Sequence, residues 1–322
     1  MTDHAAQRPV GVPTTADLTP ALAADFEACR GLVRAHARNF YYGLRLTPEP
    51  RRSAVYAVYA WMRTGDDHID LAGSPEEKQA RLDQFARRSE RLFAGLTPDE
   101  AGMADPVWRA FAWTIGAFPI DRADLRGLLA GLEDDAAQDA GARPGVPVYA
   151  TRADLERYCY RVAGVVGLIC IDIWGLRPGI EREEARRLAA LRGLAFQLTN
   201  ILRDLAEDFD RGRVYVPAED LRAAGVDPEA LRRWSDPDRC DALVRRVGTW
   251  ARRSYMDSAP LDRMIDPACA PTLWAMTRIY SRLLEKIEAH PRRVAMQRVR
   301  VRAIHKAGIA VAAALKARVY SF

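Results

Sequence analysis

Apolar residues recur at spacings of three and four through nearly every long segment of this chain, which is the period of a helix with one buried face. The spacing predicts a helix from Asp25 to Leu44, ended before Thr47-Pro48. A second runs from Pro50 to Asp70, with proline suited to its first turn. Ser74-Pro75 opens a third, with Glu76 and Glu77 where the macrodipole favours acids. Further helices are predicted over residues 106–118, 121–138, 151–174, 181–210, 217–224, 227–233, 238–257, 267–289 and 297–319. Arg213-Val214-Tyr215-Val216 is the one β-like run, and Pro217 cuts it short. Gly and Pro mark Ala140 to Val148 as a loop. The pattern predicts an all-α fold with no fixed-period repeat.

Composition narrows the class. The 322 residues are 49% hydrophobic, enough for a large core. Residues 1–20, rich in Pro, Thr and Ala, lack an apolar signal-peptide stretch and are expected to be a disordered lead-in to one domain over residues 21–322. The best apolar run, Ala307 to Leu315, lies between Lys306 and Lys316 and is far short of the roughly 20 residues that span a bilayer. The five cysteines, Cys29, Cys159, Cys170, Cys240 and Cys269, form no CxxC pair. They fit buried thiols in a reduced, cytoplasmic setting better than a zinc or redox site.

Net charge is +5, concentrated near the end in Arg292, Arg293, Arg298, Arg300, Arg302, His305 and Lys306. Nucleic acid, an anionic membrane surface, an anionic substrate and a merely solvated helix face would each account for it.

Two segments carry candidate chemistry. In Tyr56 to Asp70, the residues Tyr59, Arg63, Asp66, Asp67 and Asp70 share one helix face, and Asp66 and Asp70 stand one turn apart. Like charges at that spacing destabilise a bare helix, and a cation between them would remove the repulsion. In Phe196 to Pro217, the residues Gln197, Asn200, Asp204 and Asp208 form a second stripe, with Arg203 and Glu207 beside it. One acidic pair on a helix is usually a solvated face. Two such helices, each with an adjacent arginine, suit a diphosphate held through several Mg²⁺ ions, because Mg²⁺ takes few carboxylates and completes its shell with water and phosphate oxygens. Arginines would neutralise the remaining oxygens. Departure of that diphosphate leaves an allylic cation, which needs a dry pocket with aromatic faces.

On these residues the chain resembles the squalene/phytoene synthase family. The stretches that carry the likeness are NFYYGLRL (Asn39 to Leu46), AVYAVYAWMRTGDDHID (Ala54 to Asp70), YCYRVAGVVG (Tyr158 to Gly167) and QLTNILRDLAEDFDRGRVYVP (Gln197 to Pro217), within roughly residues 25 to 300. The closest look is to bacterial presqualene diphosphate and squalene synthase-like members. The resemblance implies the isoprenoid-synthase helical fold around a central cavity and head-to-head condensation of two prenyl diphosphates. It implies Asp66, Asp70, Asp204 and Asp208 as Mg²⁺ ligands. Arg63, Arg203 and Arg213, with Tyr59 and Tyr215, would hold diphosphate oxygens, and Arg203 would also act in catalysis. Gln197 and Asn200 would line the site, Tyr158 would handle a proton or face the cation, and Phe40 would wall the cavity.

The sequence departs from the family's pattern at Ala37, Asn39 and His68, and in the loop from Ala136 to Val148, which is longer than typical. Ala37 and Asn39 stand where many members carry serines that contact diphosphate; Asn39 can replace one donor. His68 is unusual and is expected to point to solvent. The Gly164 to Gly167 run suits either a close pass of substrate or close helix packing.

Bulk at Leu44 and Tyr56 leans towards C15 farnesyl diphosphate over C20 geranylgeranyl diphosphate. NADPH is an open co-substrate, since the chain has no GxGxxG and the family binds NADPH without one. Prenyl diphosphates are the implied partners, with no nucleic acid. The basic end suggests peripheral contact at the inner membrane face. A non-catalytic helical relative and a different prenyl-diphosphate enzyme are the alternatives; the four aspartates disfavour the first and the YCYRVAG stretch the second.

Overall fold

A computed structural model describes residues 13–37, 40–99, 104–141 and 143–319, with the side chains of Asp70, Asp139, Ala140 and residues 317–319 outside the described set. Fifteen α-helices are assigned across these residues. They are α1 (Pro20–His36), α2 (Phe40–Leu44), α3 (Arg51–Asp70), α4 (Pro75–Phe93), α5 (Pro106–Ala117), α6 (Arg122–Ala140), α7 (Arg152–Cys159), α8 (Val165–Trp174), α9 (Arg182–Asp210), α10 (Ala218–Ala224), α11 (Pro228–Arg233), α12 (Pro237–Asp257), α13 (Ala270–Ala289), α14 (Arg293–Met296) and α15 (Ala303–Val319). The β-like run makes only an isolated bridge, Val214 to Pro147.

The starts follow local chemistry. Thr19 accepts from the Leu22 amide at 3.2 Å, and Ser74 and Thr151 each form a reciprocal capping box with Glu77 and Asp154. Asp105, Asp227 and Asp236 cap helices that begin with proline. These side chains satisfy amides that have no partner within the helix.

The predicted boundaries need three corrections. The helix from Asp25 to Leu44 is two, because α1 ends at His36 and Ala37 leaves helical geometry before α2 begins. The helix predicted over 151–174 holds a wide turn at Tyr160–Gly164, where the Val165 amide reaches back five residues to the Tyr160 carbonyl. The segment 297–319 is helical only from Ala303; Gln297 is extended, so residues 297–302 form a strap between α14 and α15.

Two cores position the site. Trp61 of α3 stacks on Phe111 with ring centroids 4.4 Å apart, and its Nε1 donates to Ser89 Oγ at 3.1 Å, which locks α3 to α4 and α5. Helix α9, 29 residues and so about 44 Å long, runs through the other half against α8, α12 and α13. Glycines allow its closest approach. A Cβ on Gly193 would lie 2.5 Å from the Ala163 carbonyl oxygen, and one on Gly167 would lie 2.7 Å from that of Ala189. Close helix packing thus accounts for the glycine of the signature at position 167.

Candidate active site

Helix α9 lays its polar stripe along one face. Asn200 Nδ2 donates to Gln197 Oε1 at 3.2 Å, and Asn200 Oδ1 is buried with no acceptor bond filled. One turn on, Asp204 is held by Arg203 through Nε at 2.7 Å and through Nη2. Burial works against the Arg203 charge, but its bonds to Asp204 and Tyr280 outweigh burial and hold the guanidinium above its ordinary range. Arg298, from the strap, places Nε 2.8 Å from Asp204 Oδ1 and Nη1 3.2 Å from Glu207 Oε2. Burial and then the charge of Asp204 push the Asp208 carboxyl up to about 7.

Helix α3 contributes Tyr59, Arg63 and Asp66. Arg63 pairs with Asp67 four residues on. Burial first, opposed by Arg63 and reinforced by Asp66 and Tyr280, moves the Tyr59 phenol up to about 12, so it stays a neutral donor. Tyr280 of α13 therefore joins the two acidic helices: it interacts with Tyr59 on one side and hydrogen-bonds Arg203 on the other. Among the described residues, no three carboxylates, imidazoles or thiols converge on one point. Of the four aspartates predicted as Mg²⁺ ligands, the side chains of Asp66, Asp204 and Asp208 are described, and Asp204 is held by Arg203 and Arg298. Asp70 closes α3, but its side chain lies outside the described residues, as does all of Asn39.

A stack of tyrosines closes the site on a third side. Tyr158 is 6% exposed, and its hydroxyl donates to Asp135 Oδ1 of α6 at 2.9 Å. Its ring stacks on Tyr215 at 5.5 Å and lies against Tyr149 at 5.4 Å. Burial, then the Asp135 carboxylate, raise its hydroxyl well above the ordinary phenol range. After α9 the chain turns back, and the Arg213 amide donates to the Asp208 carbonyl at 2.8 Å. Arg213 and Tyr158 line a cavity of about 680 Å³, together with Asp134, Arg157 and Arg161.

Beyond the polar groups lies an aromatic wall. Phe40 packs on Tyr280 at 5.0 Å and on Phe196 at 6.0 Å, and Phe196 packs on Tyr280 at 4.8 Å. Phe40 and Phe196 then line an apolar pocket of about 60 Å³ between α8, α9 and α13. Leu44 and Tyr56 are buried, but Tyr56 stacks on Tyr41, and neither borders this pocket.

Sequence reasoning missed Tyr280, Asp135, Tyr149 and Arg298. The run Glu133-Asp134-Asp135 in a predicted helix was a usable signal; a tyrosine in apolar α13 gave none. Two placements also need correction. His68 packs its ring on Phe85 at 5.8 Å with Nδ1 buried, so it faces α4 rather than solvent. Lys306 is 8% exposed and sits over the Tyr42 ring, so the basic end is not all surface.

Comparison with known proteins places the chain and its fold in one family. The family described as squalene/phytoene synthase matches residues 33–305. The chain is 32% identical over 311 residues to the phytoene synthase of Arthrospira platensis, covering 94% of this chain and 96% of that one. It is 32% identical to the 15-cis-phytoene synthase of Synechocystis sp., covering 82% of this chain and 77% of that one. A dehydrosqualene synthase crystal structure superposes with a TM-score of 0.74 at 27% identity, covering 93% of this chain and 98% of that one. The squalene synthase HpnC from Alicyclobacillus acidocaldarius gives 0.72 at 26%, covering 88% and 98%.

Proposed function

The chain belongs to the squalene/phytoene synthase family, a family of prenyltransferases that condense two prenyl diphosphates head to head, and we propose that it performs this condensation at the site built by α3, α6, α9 and α13. One observation carries the reading. The carboxylates and Arg203 on α9 lead, along the same helix, into an apolar pocket lined by Phe40 and Phe196, with Tyr280 packed against both rings. Charge is handled at one end and hydrocarbon at the other, as ionisation of an allylic diphosphate requires.

The donor set fits Mg²⁺. A carboxyl at Asp208 pushed up to about 7, first by burial and then by the charge of Asp204, is a group whose proton a divalent cation would displace. Asp66, Asp70, Asp204 and Asp208 would hold it, with diphosphate oxygens completing the shell. The chemistry it supplies is neutralisation of the departing diphosphate. Arg63, Arg203 and Arg213 donate to the remaining oxygens, with Tyr59 and Tyr215 beside them and Gln197 and Asn200 lining the floor. Tyr158, held by Asp135, keeps a proton at its hydroxyl for the step that needs one. The rings of Phe40, Phe196 and Tyr280 face the cation and exclude water.

Farnesyl diphosphate is the favoured substrate, giving a C30 product of the presqualene or squalene type, because the buried Trp174 and Phe196, rather than Leu44 and Tyr56, border the apolar pocket. The relatives named as phytoene synthases favour a second reading with geranylgeranyl diphosphate. Both are tested by incubating the protein with Mg²⁺ and an equal mixture of the two diphosphates, with and without NADPH, and resolving products by mass spectrometry. A C30 lipid is expected. Failure to form any condensed product from either substrate overturns the proposal.

No helix among the described residues is long and apolar enough to cross a membrane. We place a peripheral lipid contact at α15, where Ile304, Val311 and Leu315 form an exposed apolar row next to the exposed Arg300 and Arg302.

A further inference from the structure

The apolar pocket beyond Phe40 has a polar end. Its lining includes Arg192, 2% exposed, whose Nε donates to Ser258 Oγ at 2.8 Å and whose Nη2 donates to the Ser258 carbonyl at 2.9 Å. Its Nη1 donates to Asp262 Oδ1 at 3.0 Å and to Thr277 Oγ1. Four of the five N–H groups of a guanidinium are thereby committed. In the same lining stands Trp174, 2% exposed, with Nε1 buried and unpaired. Arg192 lies twelve residues before Asp204 on α9, about 18 Å along the axis, with Gly193 and Phe196 between them.

We propose that Arg192 and Trp174 form the fixed stop of the prenyl-tail pocket and set the length of tail this chain accepts. The inference rests on the condensation reading and adds the residues that choose its substrate. A pocket of about 60 Å³ has no room for a further isoprene unit unless one wall moves. Moving Arg192 would strand a buried cation and leave Ser258, Asp262 and Thr277 without their donor, which is far costlier than shifting an apolar side chain. Met276 is the adaptable part of the lining, since its unbranched thioether re-packs readily. Trp174 is the movable volume in a genetic sense: its removal vacates an indole without freeing a charge. The stop therefore discriminates against C20 tails more sharply than a purely aliphatic floor would.

The test compares wild type, Trp174→Ala and Val166→Phe, in which the half-buried Val166 of the same lining is enlarged. Each protein receives equal C15 and C20 diphosphates with Mg²⁺, and products are resolved by mass. In parallel, calorimetry measures binding of unreactive thiolo-diphosphate analogues with the same two tails. Trp174→Ala is expected to raise the C20-to-C15 preference about tenfold or more, and Val166→Phe to lower it. An unchanged preference in Trp174→Ala overturns the stop, whatever Val166→Phe does. Should wild type give no product from either substrate, the condensation reading falls. The tail order in calorimetry then decides the stop by itself: a shift with Trp174→Ala upholds it, and no shift removes it. Should Trp174→Ala fail to fold by its melting curve, Val166→Phe decides alone.

Discussion

Arg298 and Asp204 are joined across the strap and α9, with Nε 2.8 Å from Oδ1. Arg203 holds the same carboxylate from its own helix, so two guanidinium groups share one acid. A divalent cation that takes Asp204 must compete with Arg298. We therefore expect Arg298→Gln to tighten Mn²⁺ binding several-fold in the absence of substrate, read by electron paramagnetic resonance. The pair is partly exposed, so its loss should lower stability by only about 0–1 kcal/mol. Weaker or unchanged Mn²⁺ binding would show that Arg298 does not guard the acid.

Gly193→Ala sets two effects against each other. Alanine gains about 1 kcal/mol of helix propensity over glycine. Against this, the new Cβ would sit 2.5 Å from the Ala163 carbonyl oxygen and 2.7 Å from Gly164 Cα, both backbone atoms that cannot turn aside. Overpacking of that kind costs about 1–3 kcal/mol, and here the wide turn Tyr160–Gly164 and α9 must separate. A net loss of up to about 2 kcal/mol is expected by urea unfolding, with a displaced Phe196. Gly31→Ala in α1, where the added Cβ meets nothing within 4 Å, should instead stabilise by up to about 1 kcal/mol. Equal effects at the two sites would refute the packing argument.

Most of the fold was legible because helices announce themselves by period and by caps: the starts at Ser74, Pro106 and Thr151 lie within one residue of prediction, whereas α1 begins at Pro20, five residues before the predicted Asp25. What failed was continuity. Nothing in the residues around Ala37 interrupts the apolar period, and no composition signal marks the wide turn at Tyr160–Gly164. The acidic stripe of α9 was readable, since its spacing places Asp204 and Asp208 together. Tyr280 was not. It lies far along the chain from both acidic helices, and its role comes only from the way α13 packs on α9 and brings the Tyr280 hydroxyl towards Tyr59 of α3. Arg298 was counted as one of a basic cluster because sequence gives charge without giving direction.

Asp208 makes metal-free stability depend on pH. Folded, it keeps its proton to about pH 7; in an unfolded chain it releases it near 3.8. Between those values the folded state binds more protons, so stability falls as pH rises through that window. Asp208→Asn stays neutral throughout and lacks that slope. The variant and wild type should melt together at about pH 4, and the variant should melt higher by about pH 8. Adding Mg²⁺ with inorganic diphosphate should reverse the order at the higher pH, because only wild type gains a ligand. A variant that melts no higher than wild type in metal-free buffer at the higher pH would contradict the buried-acid account.

The lipid contact at α15 has two physical components that salt separates. Arg292, Arg293, Arg300 and Arg302 are exposed, and each cation near an anionic surface contributes about 1 kcal/mol, which added salt screens. Ile304, Val311 and Leu315 are 75%, 59% and 54% exposed and fall on one line of the helix, so their insertion resists salt. Helix α15 also packs on α2 and α13, which carry Phe40 and Met276 of the tail pocket, so a surface bound there lies against the wall an insoluble product must pass. Flotation with phosphatidylglycerol vesicles should recover wild type at low salt and a smaller, persistent fraction at high salt. Changing Ile304, Val311 and Leu315 together to Ser should abolish the persistent fraction, and changing Arg300 and Arg302 to Gln should reduce the low-salt one. Absence of binding at low ionic strength would remove the contact, and complete release of wild type by salt would leave the apolar row without a role in it.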